Sequence, residues 1–168
     1  MKSLALIAFL SACIISINAP AENSYLFSAT LTGEQQVEPV CTNTRGSAFI
    51  TVDPDCGEIA FNLRIKNAEG IFADSGAHIH CGIKGENGPV IAFLAGDMPG
   101  GLNGKVTVRG VLTRDNIVSD ACGENLEDIL EAMLHGKTYV NVHSAANPNG
   151  EIRGQLHYTD ENECDVAE

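Results

Sequence analysis

His78 and His80 stand in the run Gly76-Ala77-His78-Ile79-His80-Cys81-Gly82. The two-residue period of a strand puts both imidazoles on one face and turns Ile79 to the other, which makes them a chelating pair. A second run, Thr138-Tyr139-Val140-Asn141-Val142-His143, sends Val140 and Val142 inward and places Asn141 and His143 opposite them. A third imidazole is thus offered from a separate strand. Three neutral imidazoles suit copper or zinc, with bonds of roughly 2.0 Å, whereas calcium and other hard cations take oxygen ligands. The competing reading of a His-x-His pair is a hydrogen-bonding role on a sheet surface. Of the remaining histidines, His135 falls at the foot of a predicted helix, where an imidazole suits the carboxyl end, and His157 lies near the end of the last predicted strand. Neither is counted among the ligands.

Gly150-Glu151-Ile152-Arg153-Gly154-Gln155-Leu156 follows His143 after the turn Asn147-Pro148-Asn149-Gly150. Alternation puts Ile152, Gly154 and Leu156 on one face and Glu151, Arg153 and Gln155 on the other. If the turn closes a hairpin, Arg153 returns close to His143, where a fixed positive charge with a forked donor suits a small anion. The competing reading is a surface ion pair between Glu151 and Arg153, which would be worth little. Hydrolase chemistry finds no support, because there is no Gly-x-Ser-x-Gly elbow and Ser144 is poorly aimed at its neighbour His143 on a strand.

Positioning these groups falls to short β-rich runs punctuated by Gly, Pro, Asn and Asp: Tyr25 to Leu31, Ser47 to Val52, Ile59 to Ile65, Ala77 to His80, Val90 to Leu94, Lys105 to Leu112, Thr138 to His143 and Glu151 to Tyr158. The pattern predicts an all-β, antiparallel sandwich or barrel. Asp53-Pro54-Asp55-Cys56-Gly57 is a turn between two strands, since Pro presets its backbone angle and Gly accepts positive φ. One short helix is predicted over Leu126 to His135, with Asn125 as its cap, Glu127 and Asp128 at the positive end and Gly136 closing it. Its apolar Leu126, Ile129, Leu130, Met133 and Leu134 recur at helical spacing and would cover a sheet.

The chain has 168 residues and a formal net charge of -12, which bounds it to one ordinary domain and argues against a nucleic-acid partner, since its few cations are scattered. Met1 to Ala21 reads as a secretory signal: Lys2, an apolar run from Leu4 to Ile17, and Ala19-Pro20-Ala21 fitting a cleavage site after Ala21. Two other readings exist, a lipoprotein signal ending at Cys13 and a membrane anchor, though the apolar run is shorter than the roughly 20 residues a spanning helix needs. No other segment predicts membrane insertion. Residues 22–158 form the predicted domain and 159–168 an acidic tail. Export implies an oxidising compartment, and the cysteines predict pairs Cys41 with Cys56 and Cys81 with Cys122, leaving Cys164 to the tail. The absence of a Cys-x-x-Cys spacing argues against a thiolate zinc site.

Three groups of residues carry a family resemblance: Gly33-Glu34-Gln35-Gln36-Val37-Glu38-Pro39, then Ala77-His78-Ile79-His80 with Gly85-x-x-Gly88-Pro89-Val90, then Tyr139 to His143 with Asn147-Pro148-x-Gly150-Glu151-Ile152-Arg153-Gly154-Gln155. In that order they resemble the CHRD domain, named from chordin, over nearly all of Tyr25 to Tyr158. The strand motifs are also distantly similar to those of copper/zinc superoxide dismutases. That resemblance implies a Greek-key β-sandwich, copper ligands at His78, His80 and His143, and an anion-guiding role for Arg153, with Lys84 and Lys137 as helpers. The bridging histidine and zinc cluster of that family have no counterpart here, so a copper-only site converting superoxide to dioxygen and hydrogen peroxide is what it implies. The other functions open are copper storage or delivery without turnover, and an extracellular structural or protein-binding module.

Overall fold

Apolar residues at alternate positions force this chain into two facing layers. The computed structural model describes residues 24–71, 76–95 and 101–159; the predicted leader over 1–21 and the predicted tail beyond Thr159 lie outside them. The strands are β1 (Tyr25–Leu31), β2 (Arg45–Asp53), β3 (Glu58–Ile71), β4 (Ala77–Cys81), β5 (Val90–Phe93), β6 (Leu102–Leu112), β7 (Thr138–Val142), β8 (Ile152–Gln155) and β9 (His157–Tyr158), with one helix, α1 (Leu126–Leu134), before β7. They form an antiparallel all-β sandwich, one sheet ordered β6-β3-β2-β1-β9 and the other β5-β4-β7-β8.

Between the sheets, every second residue of the central strands is sealed from water: Phe27, Ala29 and Leu31 on β1, Ala48, Ile50 and Val52 on β2, and Ile59, Phe61, Leu63 and Ile65 on β3. They face Ile79, Val140, Val142 and Ile152 of the second sheet. Each of the larger side chains among them contributes about 1.5–3 kcal/mol by leaving water, so register in both sheets is strongly specified. Asn125 caps α1 by accepting the Asp128 N–H at 2.9 Å, and Gly136 closes it at φ 63°. The helix adds Ile129, Leu130, Ala132 and Met133 to the core. The Asp53–Gly57 turn is closed by Asp53 Oδ1, which accepts the Cys56 N–H at 3.0 Å.

Three expectations are corrected. The single last strand, Glu151 to Tyr158, is instead two: β8 pairs with β7, and after Leu156 the chain passes to the other sheet, where β9 pairs with β1. Leu156 is fully buried at the crossing, and its N–H still donates to Thr138 O at 3.0 Å. β3 runs on to Ile71 because bulges beyond Ile65, with Asn67 at φ 55°, bend it without ending its pairing. Among the cysteines, Cys81 and Cys122 are joined, tying β4 to the segment before α1, but Cys41 is a free, exposed thiol and Cys56 is disulfide-bonded without it. The predicted Cys41 to Cys56 pair is therefore wrong: β2 runs between them and holds their ends of the segment apart.

The second sheet departs from the usual half-exposed pattern. Its outward residues His78, His80, Asn141, Arg153 and Gln155 are all buried. Two Gly-bearing loops lie over them, residues 33–44 and 82–89, the first tied to the sheet by Gln36, which donates to Asn141 Oδ1 at 2.7 Å. No helix among the described residues is long and apolar enough to cross a membrane.

Candidate metal centre

On the outer face of the second sheet, antiparallel register sets side chains in rows. His78 lies opposite Asn141, which lies opposite Arg153; His80 lies opposite Tyr139, which lies opposite Gln155. His143 follows β7 directly and is held beside β4 by its N–H, which donates to Gly76 O at 2.8 Å. The imidazoles of His78, His80 and His143 meet: ring centroids are 4.9 Å apart for His78 and His143, 5.5 Å for His78 and His80, and 6.2 Å for His80 and His143. One nitrogen from each lies within 4.8 Å of the others. His135 instead bonds Glu131 O at 2.8 Å at the foot of α1, and His157 is exposed on β9, so both stand outside this cluster.

The remaining bonds of these rings set their chemistry. Nδ1 of His80 bonds the carbonyl of Gly88 at 2.8 Å, and Nδ1 of His143 bonds the carbonyl of Pro148 at 3.0 Å. A carbonyl only accepts, so each Nδ1 carries the proton and each Nε2 is a bare lone pair. Both Nε2 atoms are buried without a hydrogen-bond partner, as are both nitrogens of His78. Native proteins rarely leave such atoms unpaired. Burial, reinforced by the other two imidazoles, lowers the pKa of His78 to about 4. Burial lowers His80 and His143 as well, against the opposing pull of their carbonyl partners. At neutral pH all three are uncharged donors, and this is the state in which imidazole binds a transition metal. The residues present therefore fit a copper ion or another imidazole-preferring metal.

Arg153 is packed into the covered face of the sheet, where its charge acts on His80. It is 1% exposed, its Cζ lies 3.5 Å from the centroid of the Tyr139 ring, and Nη2 and Nη1 donate to Ile83 O at 2.9 Å and Asn87 Oδ1 at 3.3 Å. His80 stacks on the same tyrosine from the neighbouring strand, 4.7 Å between centroids and 14° between planes. Glu151 is equally buried but turns to another loop. Its carboxylate accepts from Thr42, from Ser144 at 2.8 Å and from Asn147. Burial pushes its pKa up, yet these bonds and one from Thr44 prevail and hold it below the usual carboxylate range. The surface Glu151–Arg153 pair is thus not formed. Lys84 and Lys137 are exposed and do not line the groove, about 680 Å³, that opens on His80 and His143 between Gln36, Asn87 and Asn141.

Sequence alternation identifies the face carrying the three imidazoles but misses Tyr139, Gln36 and Glu151, whose roles depend on the covering loops. The available signal is at Gly88, where a Cβ would come within 1.6 Å of Cys81 O, so the backbone must pass that close.

Residues 27–156 match the family model of the CHRD domain. No curated protein and no solved structure is significantly similar to this chain. With the match spanning most of the sequence and both strands that present the histidines, the protein belongs to the CHRD-domain family.

Proposed function

We infer that this chain is an exported copper-binding protein in which His78, His80 and His143 supply the ligands. One observation carries the reading: three uncharged imidazoles converge with buried nitrogens that no protein atom satisfies. The three-imidazole donor set, without a carboxylate or thiolate, favours a metal that prefers nitrogen ligands. Copper, when bound, supplies one-electron chemistry. The chain's own part is to keep the protons of His80 and His143 at Nδ1 and to exclude most water from His78, while the groove admits a small solute to His80 and His143.

Superoxide conversion is the second reading, favoured by that groove. Two features weigh against it: the guanidinium of Arg153 is buried against Tyr139, and a net charge of -12 opposes long-range approach of an anion. The geometry therefore favours binding over fast turnover. The test is to purify the exported chain, measure bound copper and zinc, and assay superoxide removal beside His80→Ala. We expect copper in the intact protein and its loss in the variant. Copper with no superoxide consumption assigns the protein to storage or delivery; failure to bind any metal overturns the reading and leaves a structural module.

A further inference from the structure

Glu151, just before β8, and Arg153, within it, flank Ile152, are both buried, and are not bonded to each other. Each instead holds a different loop, and each loop supplies the carbonyl that fixes one histidine. From Glu151 the path runs through Ser144 and Asn147, which close the turn over residues 144–150: Ser144 Oγ accepts the Asn147 N–H at 3.0 Å, and Asn147 O accepts the Gly150 N–H at 3.0 Å. Pro148, inside that turn, accepts from His143. From Arg153 the path runs to Ile83 O and Asn87, at either end of the loop whose Gly88 carbonyl accepts from His80. The same Gly88 donates its N–H to the Tyr139 hydroxyl at 3.1 Å, and Tyr139 is the ring against which Arg153 stacks.

We propose that Glu151 and Arg153 are positioning residues that set, through two separate loops, which ring nitrogen of His143 and of His80 faces the metal centre. This deepens the copper reading and rests on it for its purpose, but its geometry exists in the metal-free chain. A buried anion with no cationic partner and a buried cation with no anionic partner are costly arrangements for mere packing. Anchoring polar loops explains both. Groups behind metal ligands commonly govern affinity by fixing tautomer and ring orientation.

The test uses the whole domain, metal-free, at about pH 7.5, with histidine tautomers read by long-range proton–nitrogen NMR. In the wild type His80 and His143 are expected as Nδ1-protonated forms. Glu151→Gln, which removes the charge but keeps the shape, should mix the tautomers of His143 and leave His80 unchanged. Arg153→Met should do the reverse, with Arg153→Lys as the second variant should Met fail to fold. Each should then weaken copper binding, measured by chelator competition, by about 10–100-fold. Tautomers that do not move, or that move at both histidines in both variants, overturn the proposal, since general loosening would not separate the two rings. Intact tautomer effects in a chain that binds no copper would instead refute the copper reading alone.

Discussion

Three neutral imidazoles packed in one cluster make the metal-free protein sensitive to mild acid, and His78 allows the effect to be sized. It is 7% exposed, and its pKa falls from 6.5 to about 4 on folding. The unfolded chain therefore binds this proton more readily than the native one. Stability from this group is fully present above about pH 6.5 and is lost as pH falls from there toward 4. At about 1.36 kcal/mol per unit, the complete loss is about 3 kcal/mol, and about 2 kcal/mol is already gone at pH 5, before most carboxylates titrate. His80 and His143 shift in the same direction and add to this. The assay is urea unfolding of the chelator-treated protein at about pH 7.5 and pH 5, for the wild type and His78→Gln. We expect the wild type to lose at least about 2 kcal/mol more than the variant across that interval. Copper held near 100-fold over its dissociation constant should restore about 2.7 kcal/mol. An equal loss in both proteins would refute the claim that His78 is folded as a buried neutral base.

Other substitutions test neighbouring parts of the argument. Gly88→Ala forces a Cβ against Cys81 O and displaces the carbonyl bonded to His80, so it should weaken copper binding by about tenfold or more in chelator competition. Replacing Cys81 and Cys122 together by Ser removes a cross-link spanning a sequence separation of 41; a loss of about 4 kcal/mol in urea unfolding is expected on the chain-entropy argument. Ile79→Ala, at the centre of the core directly between the two ligands of β4, should cost about 2–5 kcal/mol, and calorimetry showing an unchanged Tm would contradict its full burial.

How much was legible in the sequence follows the range of each interaction. Alternation located β1 at its true limits and put His78 and His80 opposite Ile79, because a strand's pleat is local and one slipped residue would expose the apolar set. The helix cap at Asn125 and the stop at Gly136 are equally local chemistry. What escaped was set by distant chain segments. That β8 is covered on its outer face depends on loops 33–44 and 82–89, which carry no periodic signal. Alternation consequently placed Arg153 near His143 as an anion-suiting cation or in a surface pair with Glu151, and could not foresee its stacking on Tyr139. The break at Leu156 was hidden because residues on both sides of it still have strand character, and only the second sheet edge decides where the chain goes.

That break governs the order in which the molecule is completed. β8 borders β7, and β9 borders β1, so the final described residues furnish an edge to each layer. The Pro148 carbonyl and Arg153, on which the imidazoles rely, also arrive late in the chain. A nascent polypeptide halted before Glu151 would present His78 and His80 with neither the 82–89 loop nor the 144–150 turn secured by its anchor. If the centre takes an ion, the groove that opens on His80 and His143 is the way into the finished domain.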